Sequence, residues 1–192
     1  MHNRIKEVLQ ASISVKEAVL ADQSILNSIE EAVNLIILAF QNKQKVLFCG
    51  NGGSAADAQH LAAEFSGRFY FDRAPLDAEA LHVNSSYLTA VANEYSFDEV
   101  YARLVAAKGA EGDILVALST SGNSSNILKA MEKAHSLGMK TIGLTGKTGG
   151  KMKELSDILL NVPSTDTPRI QESHITIGHI ICELVEAILF PR

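Results

Sequence analysis

The stretch CGNGGSAADAQHLAAEF, Cys49–Phe65, decides how the chain is read. It leaves a short apolar run, turns through Gly50-Asn51-Gly52-Gly53, and continues as an alanine-rich segment of high helix propensity. Glycines at such a turn let the backbone approach a ligand closely. The free N–H groups of the following helix, with its dipole, favour an anion there. Further along the same predicted helix, His60 and Glu64 stand at i and i+4, on one face and about 6 Å apart along the axis. A His/Glu pair of this kind serves as a surface ion pair, as an acid–base pair, or as part of a metal site. Its apolar neighbours Leu61, Ala62, Ala63 and Phe65 make the surface reading less natural.

Outward from this stretch the texture repeats. Short apolar runs occur at Lys45–Cys49, Ala80–Val83, Ile114–Leu118, Thr141–Leu144 and Ile158–Val162, with longer helical stretches between most of them. Strands alternating with helices predict an α/β fold, a parallel sheet covered on both faces. The first ~42 residues read as two helices. Ile5, Val8, Leu9, Val15 and Val19 share one face, and Ile25, Ile29, Val33, Ile36 and Phe40 form a second stripe. Asp22 and Ser24 are candidate caps between them. A last helix is predicted from about Pro168 to Leu189, carrying Ile170, Ile177, Ile181, Leu184 and Ile188. No internal repeat or low-complexity linker interrupts the chain. The expectation is one domain, 1–192, made of a helical pair (1–42) and an α/β core (43–192). The first two helices and the last are apolar over more than one narrow stripe. Two readings stay open: they cover the sheet, or they pack against another subunit as a helical bundle.

The bulk numbers narrow the function classes. A chain of 192 residues can bury a real core, and 46% apolar with 20% charged residues fits a globular protein. A formal charge of -5 lacks the basic footprint of a nucleic-acid surface. No apolar run reaches the ~18 residues of a membrane span. Cys49 and Cys182 are too few for a disulfide framework, and MHNRIKEVLQ has no apolar signal core. A reducing, cytoplasmic setting is expected.

A second loop matches the first. Ser119-Thr120-Ser121-Gly122-Asn123-Ser124 follows the Ile114–Leu118 run and precedes another predicted helix. In a parallel sheet, ligands bind beyond the carboxyl ends of the strands. Hydroxyl-rich loops there either cap helices or hold a phosphate or sugar. Nucleotide motifs fail: GNGGSA is not G-x-G-x-x-G, and a P-loop ending in Gly146-Lys147-Thr148 would need glycine at Thr141. A small phosphorylated molecule fits better than ATP or NAD. On the last helix, Gln171 and His179 add polar groups, about 80° apart around the axis and roughly 12 Å along it. His60, Glu64, Gln171 and His179 could hold a divalent metal through N and O ligands, although this spacing argues against a simple cage from one helix. Without metal, Glu64 and His179 suit base and acid. His174 points elsewhere and is read as a packing or surface histidine.

Taken together, CGNGGSAADAQHLAAEFSGR, LSTSGNSSNILKA, GLTGKTGGKM and RIQESHITIGHIICELVE resemble the sugar-isomerase (SIS) domain family, most nearly its heptose-phosphate isomerases, over nearly the whole chain. The resemblance implies a five-stranded parallel sheet between helices in a flavodoxin-like three-layer sandwich, and a homotetramer with sites at subunit contacts. It implies conversion of D-sedoheptulose 7-phosphate to D-glycero-D-manno-heptose 7-phosphate, feeding ADP-heptose synthesis for lipopolysaccharide core. Substrate contacts would fall on Asn51, Gly52, Gly53, Glu64, Asn93, Glu94, Ser119, Thr120, Ser121, Ser124 and Gln171. One zinc ion per subunit would be held by His60, Glu64, Gln171 and His179, with Glu64 as base and His179 as acid. One member of the family has Asp in the place of Glu94, so the acid is kept but longer here. The same member has Asp in the place of Pro168, onto which no role is carried. A related tetramer that binds the bacterial replication initiator shares the glycine loop and the Leu-Phe-Pro ending. It lacks the acid at Glu64 and the histidine at His179, so their presence favours the enzyme. A third reading, a sugar-phosphate sensor joined to a regulator, finds no DNA-binding segment to support it.

Overall fold

Side chains along the central strands point alternately to the two faces of the sheet, all of them buried, and that alternation builds the layers. In the computed structural model, which describes all 192 residues, β1 (Val46–Gly50) points Val46 and Phe48 into one apolar cluster and Leu47 and Cys49 into another. Strand β3 (Ile114–Leu118) does the same, with Ile114, Val116 and Leu118 on the first side and Leu115 and Ala117 on the second. Both faces of the sheet therefore need helical cover. Helices α2 (Gln23–Gln41), α3 (Gly53–Ser66) and α7 (Thr167–Leu189) contribute to the first cluster. Helices α4 (Ser85–Glu94), α5 (Val100–Lys108) and α6 (Ser125–Ser136) contribute to the second. The sheet is completed by β2 (Ala78–Ala80), β4 (Lys140–Thr145) and β5 (Ile158–Asn161), in the order β2-β1-β3-β4-β5. All four pairings are parallel. The order reverses between β1 and β3, which opens a crevice at their carboxyl ends. The register pairs Gly50 with Leu118, so the Asn51 and Ser119 loops begin side by side.

The N-terminal pair forms as α1 (His2–Ala21) and α2, joined at Asp22. The Asp22 side chain accepts from the N–H groups of Ser24 and Ile25 and caps α2. Ser24 is not a second cap, since its hydroxyl donates to Asp22 at 2.6 Å. On α2, Ile25, Ile29, Ala32, Val33 and Ile36 recur at helical spacing and are buried. Truncating Ile36, 1% exposed, to Ala would cost about 2–5 kcal/mol. Helix α1 behaves differently: none of its residues is buried, and Ile5 and Leu9 are 50% and 59% exposed. Only Val15 and Val19 of its predicted stripe pack against the core. No helix is long and apolar enough to cross a membrane.

One strand lies off its expected place. The apolar run predicts a strand at Ala80–Val83, but β2 spans Ala78–Ala80. Parallel pairing with Val46–Phe48 fixes that register. As an edge strand, β2 carries a half-exposed Glu79 bonded to Lys108, which a search for apolar runs passes over.

Candidate active site

Three helix N-termini face the carboxyl edge of the sheet without a side-chain cap. Helices α2 and α4 are capped by Asp22 and Asn84, whereas no side-chain hydrogen bond caps α3, α6 or α7. At α3 the first residue is preceded by Gly52, with φ +55° and ψ −122°, a conformation that glycine adopts without strain. At α6 the capping position is held by Ser124, but its hydroxyl lies 3.0 Å from that of Ser119. Ser121 joins the group, with its Oγ 3.5 Å from Ser119 and accepting from the N–H of Asn123 at 3.2 Å. The hydroxyls thus cluster with one another instead of closing the helix end, and the alternative of ordinary capping does not describe this loop. Open N–H groups, a favourable dipole and clustered hydroxyls suit a phosphate.

The two loops are tied across the crevice. Asn51 and Asn126 exchange paired amide hydrogen bonds, each 2.9 Å, so the Asn51 side chain is held by α6. Tyr101 donates from its buried hydroxyl to the Gly50 carbonyl. Gly146 N–H donates to the Thr120 carbonyl at 3.0 Å, and Lys147 N–H to that of Ser164 at 2.9 Å. Between these segments lies a polar cleft of about 320 Å³ lined by Thr120, Ser121, Asn123, Lys147, Thr148, Ser164, Thr165, Thr167 and Ile170. In the sequence Lys147 and Thr148 end a failed P-loop and lie within GLTGKTGGKM, with no site role expected of either. Here they form a wall beside the hydroxyl loop, a role that needs the folded return of β4 and carries no motif of its own.

Helices α3 and α7 pack side by side and bring the remaining residues together in two places. At their N-terminal ends, the Gln171 amide lies against Gly53, whose Cβ, if present, would stand 2.7 Å from Nε2. Seven residues on along α3, about 10 Å of rise, His60 Nε2 meets His179 Nε2 at 2.9 Å, the rings edge to face with centroids 5.1 Å apart. Glu64 Oε1 is 3.4 Å from His60 Nε2. The predicted pair on α3 and the predicted histidine on α7 therefore form one constellation, with Gln171 at the other end of the helix contact. Asn93 and Glu94 sit exposed at the end of α4, and no hydrogen bond or ion pair joins them to the other site residues.

Asp57 was missed. It stands three residues before His60 and seven before Glu64, on the same face of α3. Its Oδ2 is buried without a hydrogen-bond partner. Burial raises its pKa, and the positive potential of His60 and His179 opposes that rise. Its i, i+3, i+7 spacing with His60 and Glu64 is the signal that the sequence carries for it.

Two imidazole nitrogens and a carboxylate match the three protein ligands of many catalytic zinc sites. No group of three or more His, Cys, Asp or Glu side chains is arranged to hold an ion. His60 and His179 instead hydrogen-bond each other at 2.9 Å, against about 3.3 Å for two ligands placed tetrahedrally around zinc. The donor chemistry fits, and a few tenths of an ångström of ring movement would open the position.

Residues 9–146 match the SIS domain family. A phosphoheptose isomerase from Aneurinibacillus thermoaerophilus is 54% identical over 190 residues, 99% of this chain and 96% of that protein. Phosphoheptose isomerase 2 from Campylobacter jejuni is 50% identical over 192 residues, covering 100% of this chain and 96% of that protein. The solved structure of a phosphoheptose isomerase from Neisseria gonorrhoeae superposes with a TM-score of 0.91 at 41% identity, covering 97% of this chain and 98% of that one. The chain belongs to the SIS domain family, within its group of phosphoheptose isomerases.

Proposed function

We propose that the protein is an aldose–ketose isomerase that converts D-sedoheptulose 7-phosphate to D-glycero-D-manno-heptose 7-phosphate. The observation that carries this reading is the meeting of His179 with His60 and Glu64 across α3 and α7. It supports the reading because two imidazoles and a carboxylate, groups suited to acid and base, come together on helices whose N-termini open at the carboxyl edge of the sheet. The Ser119–Ser124 loop and the open N-terminus of α6 hold the phosphate. That end fixes the long open-chain sugar, so binding energy there supports chemistry at the other end.

In the reaction, Glu64 removes the proton from C1 of the ketose as His179 protonates the carbonyl oxygen on C2, which leaves the enediol. The enediol then loses the hydroxyl proton on O1 and gains a proton at C2, giving the aldose; no atom is gained or lost overall. Each proton transfer is a general acid or base step. A zinc ion held by His60, Glu64 and His179 would supply stabilisation of negative charge developing on oxygen; Gln171, the further ligand the resemblance implies, has its amide against Gly53 and would have to turn toward them to join. Asn51, Gly52, Gly53 and Gln171 line the sugar, and Asn93 with Glu94 completes the site in the assembled protein.

The assembly proposed is a homotetramer. Its support is the apolar surface left on α1, α2 and α7: Ile5, Leu9, Leu38, Ile180, Leu184 and Ile188 are all exposed. Exposed apolar side chains gathered on neighbouring helices suit a contact with another subunit. The setting proposed is the cytoplasm, and the product would feed ADP-heptose synthesis for lipopolysaccharide core. The deciding experiment is a coupled assay of the purified protein on sedoheptulose 7-phosphate, with and without a chelator. Turnover is expected in the untreated enzyme; no turnover under either condition removes the isomerase reading.

A further inference from the structure

We propose that the buried Arg73–Glu186 pair is a positioning device that holds Glu64 and His179 in their working arrangement. The inference rests on the isomerase reading and extends it to residues that touch neither substrate nor metal.

The two side chains are 2% and 1% exposed, with Arg73 Nε 2.9 Å from Glu186 Oε2. Stability alone is a poor reason for such a pair, because a buried ion pair often does no better than apolar residues of similar volume. What distinguishes this one is the identity of its other partners. Arg73 donates from Nη2 to the Glu64 carbonyl at 2.8 Å and from Nη1 to the Phe65 carbonyl at 2.8 Å. These are orphan carbonyls in the last turn of α3, where a cation also meets the negative end of the helix dipole. One guanidinium thus fixes the backbone of the residue that carries the base.

Glu186 works on the other partner. It lies seven residues, two turns, beyond His179 on α7. Its carboxylate accepts from the N–H groups of Phe69 and Tyr70 at 2.8 and 2.7 Å. Held there, the Phe69 ring packs on the His179 ring at 5.6 Å between centroids, inclined by 52°. Glu186 reaches His179 through Phe69, and Arg73 reaches Glu64 through its carbonyl. The salt bridge locks the two arms together, so the Gly67–Ala74 segment clamps α3 to α7 at the end where acid and base meet.

The test compares wild type with Arg73→Lys, Phe69→Leu and the double variant Arg73→Met/Glu186→Leu, measuring kcat, KM and melting temperature on the same samples. Lysine keeps the charge and loses the fork. Leucine at 69 removes the ring and leaves the ion pair. The double variant replaces the pair by apolar volume. In each folded variant kcat should fall at least tenfold, with KM within about threefold of wild type. A double variant that folds with wild-type kcat would reduce the pair to a structural role and overturn the proposal. So would wild-type kcat in both single variants. An inactive wild type would retire the isomerase reading instead. The positioning claim then rests on the His179 imidazole NMR signals, which should shift in Arg73→Lys, a variant that leaves the Phe69 ring in place; unchanged signals there overturn it.

Discussion

Gly178 sits directly against Leu61, so closely that a Cβ added to it would lie 2.5 Å from Leu61 Cδ1 and 2.6 Å from Cδ2. That contact sets how near α7 comes to α3, one residue from His179 on one helix and one from His60 on the other. Leu61 is only 2% exposed and has little room to give way. Gly178→Val should therefore spread the helices, costing about 1–3 kcal/mol by overpacking and lowering kcat more than KM. Leu61→Ala in the same chain should recover part of the loss. Denaturant unfolding with steady-state kinetics checks both; full activity in Gly178→Val would mean that this contact does not set the His60–His179 spacing.

Glu64→Gln removes the proposed base with little change of volume, and His179→Ala removes the proposed acid together with its ring. General acid–base steps contribute about 10²–10⁴-fold each, so each variant should lose at least about 10²-fold in kcat. Sedimentation should give wild-type assembly. Full turnover in either variant removes that residue from the mechanism.

The fold was legible in this chain because its apolar runs are short and separated by helical lengths. Ile114–Leu118 was recovered to the residue, since a strand buried on both faces is a continuous apolar run. β2 was misplaced because an edge strand with a solvated Glu79 lacks that texture. The loops at Asn51 and Ser119 were visible as glycine and hydroxyl clusters, and His60 with Glu64 as a helical pair. That His179 meets His60 is a fact of α3–α7 packing, made possible by a glycine whose role no local pattern announces. The same holds for Lys147 and Thr148 beside the hydroxyl loop, and for the partners of Glu186. Such residues gain meaning only when distant segments are brought together.

Metal removal separates donor chemistry from catalysis. Purified enzyme treated with a chelator should lose most of its turnover, and stoichiometric zinc should restore it. His60→Ala should lower bound zinc per subunit well below one, measured by elemental analysis, because the remaining nitrogen donor is His179 alone. Undiminished zinc content in His60→Ala would exclude that histidine as a ligand.

Ser121→Ala probes the anion end. The hydroxyl bonds the Asn123 N–H at 3.2 Å and lies 3.5 Å from Ser119 Oγ. Its loss removes one donor to a charged phosphate, an interaction of about 1.5–3 kcal/mol. The Michaelis constant should rise about 10-fold or more, with a smaller change in kcat. An unchanged constant would count against this loop as the phosphate anchor.

His174 gives the fold a dependence on pH that is separable from catalysis. It is fully buried, its Nε2–H donating to the Thr145 carbonyl at 3.0 Å, and its Nδ1 is enclosed without a partner. Burial pushes its pKa down to about 4, against a smaller upward pull from the hydrogen bond to Thr145. A protonated imidazole would place a second N–H where no acceptor exists. Above pH ~6.5 the ring is neutral in both folded and unfolded chains and contributes no slope. Below it the unfolded chain takes up the proton and the folded chain does not, so stability falls by roughly 1 kcal/mol per pH unit until the folded ring titrates near 4. His174→Gln removes that titration while other acid-sensitive groups, Glu186 and Asp157 among them, stay common to both proteins. The variant should be the less stable protein at pH 8, and its deficit should shrink steadily toward pH 5. Denaturant unfolding at unit pH intervals reads this difference directly; a deficit constant from pH 8 to 5 would mean that the folded ring protonates as it does in the unfolded chain.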